Sequence, residues 1–219
     1  MKKIDKSEIL STEYEKWLET LEAEKHPPYD SYSKAKYYID IKMSLLYCQG
    51  GLCAYSEKRL CDSKYFDLEN WKEGKYKTEL TKNDKSKILG DLEHFDESLK
   101  PKNAFLWSNL FVVDKHINCN IKGRASINYF WKPDLEDYSP YDYLEFDLEI
   151  GSFIPLSSLS DEEQDKIEIM IDTLGLNCYD SDRKEYIELL LDLNKKREAT
   201  QYLTAYNMTL KQLKEEKLP

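Results

Sequence analysis

The stretch from Gly90 to Gly123, GDLEHFDESLKPKNAFLWSNLFVVDKHINCNIKG, constrains the fold more than any other part of this 219-residue chain. Leu89 to Phe95 and Ala104 to Val113 are short apolar runs that read as strands, and ESLKPKN between them supplies the turn chemistry. Cys119 to Ala125 then opens a short helix. Strand, turn, strand and helix make a ββα unit, and the rest of the chain reads as a frame for it.

The same stretch carries an ordered set of polar residues. Glu93 and His94 sit between apolar Leu92 and Phe95; Asn109 follows, then Asn118, Asn120 and Lys122-Gly123. Phosphodiester hydrolysis needs a base to activate water, and a hard cation with hard ligands to polarise the phosphate. His94 suits the base, because an imidazole titrates near working pH. Glu93 offers a carboxylate, and Asn118 or Asn120 an amide oxygen, both suited to Mg²⁺ or Mn²⁺. Neighbouring strand residues face opposite sides, so Glu93 and His94 share a site only if His94 stands at a strand end or bulge. Read one by one, these residues have plainer roles: a partner-bonded histidine, an asparagine tying a turn, asparagines capping a helix.

Taken together, GGLCAYSEKRL (50–60), DLEHF (91–95), WSNLF (107–111) and NCNIKG (118–123) resemble the HNH nuclease motif, the ββα-metal fold. More narrowly, they are similar to the Septu- and retron-associated HNH proteins of bacterial anti-phage systems, with YSPYDYLEFD (138–147) and TLGLNCYDSDR (173–183) adding support. The resemblance covers roughly residues 36 to 190. It implies His94 as general base, Glu93 as metal ligand and Asn109 as the middle residue that orders the loop. For the last metal ligand, the spacing from Asn109 points to Asn118 and the local motif to Asn120, so both stand. It also implies a partner ATPase. Relatives often carry two Cys-x-x-Cys knuckles around a structural zinc. Here the first reads Cys53-Ala-Tyr-Ser56 and the second lacks the pattern, leaving at most Cys53, His116 and Cys119 where four strong ligands are wanted; packing is expected in place of zinc. Lys122 and Arg124 are expected either to touch substrate phosphate or to line a solvated helix face.

The expected fold is α+β and mainly helical, with a central HNH unit at 50–130 between an N-terminal helical region (1–49) and a C-terminal loop and helical region (131–219), packed as one unit. Ile4 to Glu24 has helical periodicity, stopped by His26-Pro27-Pro28, which leaves His26 a surface loop residue. Ser33 to Tyr47 is a second helix, ended by Gly50-Gly51. Residues 62–89, with seven lysines, read as an irregular solvated excursion that could touch phosphate. LEFDLEIGSFIPL reads as a hairpin, Ser160 with Glu163 as a capping box opening a helix that Gly175 ends, and Ser181 to Asn207 as a last helix. Arg183 reads as a structural ion-pair partner.

Net charge is -10, which argues against autonomous, tight binding of nucleic acid and leaves room for a nuclease brought to its substrate by a partner. The opening MKKIDKSEIL has no apolar core of a leader, no run of 18 apolar residues occurs, and five unevenly spaced cysteines suit a reducing compartment. A cytoplasmic protein is expected. Against the nuclease stands one alternative from another class, a degenerate HNH module that only binds a partner.

Overall fold

The structure is a computed structural model that describes residues 1–21, 26–30, 32–127 and 131–195. Among these the architecture is α+β, with three separate two-stranded antiparallel hairpins and helices at both ends. The first helix, α1, is shorter than its periodicity suggests. It spans Thr12–Glu19, because Ser11 takes the N-cap and accepts a hydrogen bond from the Tyr14 amide. Residues 1–10 form neither helix nor strand. Lys6 anchors them, its ammonium donating to the carbonyls of Trp107 (2.6 Å) and Leu110 (2.8 Å) and pairing with Asp134 at 3.2 Å.

Helix α2 spans Tyr32–Gln49, close to the expected bounds, and packs on the central hairpin. Its last residue substitutes for a missing strand. The Gln49 amide donates to the carbonyls of Leu52 and Val112 and accepts from the Val112 amide at 2.9 Å. Gly51 then turns the chain with φ +73°, and a Cβ there would stand 2.7 Å from the Cys61 carbonyl oxygen. The excursion at 62–89 is more ordered than its composition suggests. It contains the hairpin β1 (Trp71–Lys72) and β2 (Lys75–Tyr76) and helix α3 (Lys82–Lys87), which opens on a Thr81/Asp84 capping box.

The central hairpin pairs β3 (Asp91–His94) with β4 (Leu110–Val113), His94 opposite Leu110. The second strand is shorter than the expected Ala104 to Val113. Lys100–Asn103 forms a one-turn helix α4 and Trp107–Asn109 a 3₁₀ turn, because this segment places its polar groups against the site rather than in a ladder. The expected short helix starts two residues earlier and winds as a π-helix, Ile117–Lys122, ending at Gly123. π-Turns are rare and recur at functional positions.

The expected C-terminal hairpin is present as β5 (Leu144–Asp147) and β6 (Ser152–Pro155). Helix α5, Asp161–Leu174, has the Ser160/Glu163 capping box and ends at Gly175. Helix α6 spans Asp180–Lys195; residues 196–207 of the expected last helix lie outside the described residues. Arg183 is fully buried. It donates to the carbonyls of Gly151 and Leu176 and stacks over Phe153, so it ties the C-terminal hairpin to the α5–α6 turn through main-chain oxygens. A single cluster of buried apolar side chains draws on all three sequence regions, from Ile4 and Tyr14 through Phe111 to Leu174. Among the described residues no helix is long and apolar enough to cross a membrane.

Candidate active site

The site residues meet where β3 ends. His94 is the last residue of that strand, the position that frees it from strict alternation with Glu93. Its backbone stays paired opposite Leu110 while the following amide, of Phe95, donates to the Asn109 carbonyl at 2.9 Å.

The imidazole is held from three sides. Nε2 lies 2.9 Å from the Ala104 carbonyl, which can only accept, so Nε2 carries the proton and Nδ1 the lone pair. Nδ1 faces the Glu97 carboxylate at 3.8 Å. The Tyr29 ring stands edge-on to the imidazole, centroids 4.9 Å apart. Only 3% of the residue is exposed, and burial pushes its pKa below the ordinary histidine value. At neutral pH the ring is therefore an uncharged base with a fixed tautomer, and Tyr29 covers it.

Asn109 makes a two-point clip across the loop after the strand. Its Oδ1 accepts from the Asp96 amide and its Nδ2 donates to the Asp96 carbonyl, both at 2.9 Å. Asp96 in turn accepts from the Ser98 amide and hydroxyl. The clip fixes the backbone two residues beyond His94, and with it the approach of Glu97.

Glu93, the residue before His94, is 5% exposed. Its Oε1 lies 2.5 Å from the Lys122 ammonium, which also donates to the His94 carbonyl at 3.0 Å. Lys122 is 2% exposed. Its expected role as a surface phosphate contact is therefore corrected: the π-turn aims it inward, where it neutralises Glu93. Burial nevertheless outweighs that cation and pushes the Glu93 carboxyl up to about 7. Tyr55 lies behind this pair, fully buried, its hydroxyl without a hydrogen-bond partner and its ionisation further opposed by Glu93. Arg124 is exposed, as a solvated residue would be.

The two asparagines separate. Asn118 is half-buried and its Nδ2 donates to the Leu92 carbonyl of β3 at 3.4 Å, a bond that uses the amide nitrogen and not the oxygen. Asn120 is exposed, and its amide bonds His116 Nδ1 at 2.9 Å. Asn118 stands beside the strand that carries Glu93, while Asn120 turns along its own helical face.

Cys53, His116 and Cys119 are not brought together. Cys53 is buried, whereas His116 and Cys119 are exposed. The Cys53 sulfur instead accepts from the Asp114 amide at 3.4 Å and from Ser56. Asp114 accepts from the Tyr179 hydroxyl (2.7 Å) and the His116 amide (2.9 Å), with Lys58 3.8 Å away. This polar knot joins the turn at 53–58 to β4 and to the start of α6.

Among the described residues, no group of three or more His, Cys, Asp or Glu side chains is arranged to hold a metal ion. The donor chemistry of Glu93 and Asn118 suits Mg²⁺ all the same, since that ion is usually held by one or two protein oxygens with water and phosphate completing its shell. Lys122 is the competing cation at Glu93.

Three participants were not legible as site residues in the sequence: Tyr29, the Ala104 carbonyl and Glu97. Nothing in their spacing marks them. His26 also departs from expectation, because its Nδ1 accepts from the Phe105 amide at 3.1 Å and braces the segment that supplies the Ala104 carbonyl. In comparisons with known proteins, no family model and no curated protein matches this chain.

Proposed function

We propose that the chain is an HNH-type endonuclease that hydrolyses phosphodiester bonds of DNA or RNA. The observation that carries this is the His94 tautomer: Nε2–H is committed to the Ala104 carbonyl, leaving Nδ1 as an uncharged base at a strand end clipped by Asn109. In the reaction, His94 Nδ1 takes a proton from water as its oxygen bonds to phosphorus. The bond from phosphorus to the ester oxygen breaks, that oxygen takes a proton from solvent water as it leaves, and His94 then gives its own proton back to solvent. Asn109 holds the loop so that the base keeps its position. Glu93 and Asn118 would hold Mg²⁺ or Mn²⁺, which supplies charge for the phosphate and leaving oxygen. Asn120, the other candidate ligand, bonds His116 through its amide. The resemblance further implies a role in prokaryotic anti-phage defence, with a partner ATPase that brings a chain of net charge -10 to nucleic acid, and the cysteine usage supports a cytoplasmic setting.

A second reading, a degenerate HNH module that binds a partner and cuts nothing, is favoured by one observation. The Lys122 ammonium occupies Glu93 while His94 is almost wholly covered. The two readings separate in a cleavage assay of plasmid DNA and total RNA with Mg²⁺ or Mn²⁺, with and without the partner. The nuclease predicts chelator-sensitive cleavage that His94→Ala lowers about 10²- to 10⁴-fold. Cleavage unchanged by His94→Ala would remove the assignment, and no cleavage under any condition would leave the second reading.

A further inference from the structure

A cavity of about 610 Å³ lies between α2, the β1–β2 hairpin and α3, and one of its lining residues, Tyr38, reaches Asp91 at the far end of β3 from His94. Its size is that of a small-molecule site. Tyr38 and Tyr76 supply aromatic wall, Lys42 and Lys85 cationic groups, and Thr78 and Glu79 the remaining polar lining. Tyr38 also donates its hydroxyl to Asp91 at 3.3 Å.

Lys42 is the unusual member. It is 7% exposed, and its ammonium rests on the carbonyls of Gly90 (2.5 Å) and Ile88 (3.4 Å). Asp91 is the acid whose charge reaches it most, yet makes no ion pair with it. A buried ammonium without a counter-ion is costly, and this one lines an open cavity. An anion seated there would complete its coordination. The surroundings favour the same sign of ligand: residues 71–88 carry six lysines against three acids, in a chain of net charge -10. Aromatic rings beside a cation are the combination that holds a base and its phosphate.

We propose that this cavity binds a nucleoside phosphate, its phosphate on Lys42 and Lys85 and its base against Tyr38 and Tyr76. Three strand steps, about 10 Å, separate Asp91 from His94, close enough for the cavity to hold a nucleotide flanking the bond cut at His94. That last placement rests on the nuclease reading; binding itself does not.

The test is calorimetric titration of the full chain in chelator, where turnover is suppressed, with AMP and separately with a thymidine hexanucleotide. Binding of either is expected, weakened about tenfold by Tyr38→Ala and by Lys42→Met. Lys85→Glu, on an exposed residue, gives a second variant whose fold is not in question and should weaken binding as well. Preference for the hexanucleotide would identify a strand subsite, and equal or better binding of AMP a site for free nucleotides; both keep the proposal. Binding of neither probe, or binding untouched by Lys85→Glu and Tyr38→Ala, would overturn it. Because no cleavage is read, failure of the nuclease assay leaves this result intact, and the reverse holds too.

Discussion

Two buried lysines flank β3, and they are compensated in different ways. Lys122, at the His94 end, has a carboxylate at 2.5 Å and one carbonyl. Lys42, at the Asp91 end, has carbonyls alone among the described residues. The first is a closed pair in which each charge satisfies the other, so anything that binds Glu93 must first displace an ammonium. The second holds positive charge that the fold leaves open to a ligand. One short strand thus carries a self-neutralised site at one end and an anion-seeking one at the other.

The largest effect should follow from splitting the closed pair. Lys122→Met leaves Glu93 buried beside no cation and should cost about 3–5 kcal/mol, whereas Lys122→Met with Glu93→Gln should recover most of that loss. Chemical denaturation of the two singles and the double variant measures the coupling; additive effects would show that the pair is not one unit. Asn109→Ala comes next. It removes two hydrogen bonds to Asp96 and should cost about 2 kcal/mol and slow cleavage, since the loop after His94 loses its clip. Lys42→Met should be milder, about 1 kcal/mol, because it deprives only carbonyls and orphans no opposite charge. A loss as large as that of Lys122→Met would erase the contrast between the two lysines.

The smallest effect is a slope with pH. Glu93 is pushed up to about 7 in the folded chain, above the ordinary carboxyl value near 4.5, so between about 4.5 and 7 the folded state holds a proton that the unfolded state has released. Stability from this group is therefore present below about 4.5 and lost as pH rises through 7. His94, lowered by burial, works with the opposite sign: its contribution is present above about 6.5 and lost as pH falls through its folded value. Melting temperature followed across pH 4.5 to 7 should gain upward slope in Glu93→Gln relative to wild type; an unchanged slope would contradict the raised carboxyl.

What the sequence made legible follows the range over which each signal acts. Capping at Ser160, the turn at Gly51 and the hairpin ending in Phe153 to Pro155 depend on a few adjacent residues, and they were readable; the end of β3 at His94 was only a condition the site imposed on a strand expected to run to Phe95. The order Glu93, His94, Asn109 was readable as well, and Asn109 has the loop-tying contacts expected of it. The interior direction of Lys122 was not, because a lysine on a helix is normally solvated and only the π-turn and the buried Glu93 reverse that. Nor were the contacts of Asn118 and Asn120, the Leu92 carbonyl for the first and His116 for the second, since the Leu92 contact crosses between elements. Tyr29, Glu97 and the Ala104 carbonyl reach the imidazole through tertiary placement alone, with no local pattern to announce them.

Nuclease activity in this chain requires His94 to act as a base through Nδ1. Chemical rescue tests this most directly: His94→Gly is assayed for cleavage with and without added imidazole. Loss of cleavage that free imidazole partly restores, while free Tris does not, is the predicted result. Cleavage by His94→Gly equal to wild type would contradict it, as would a loss that imidazole leaves unchanged in a variant that keeps the wild-type fold.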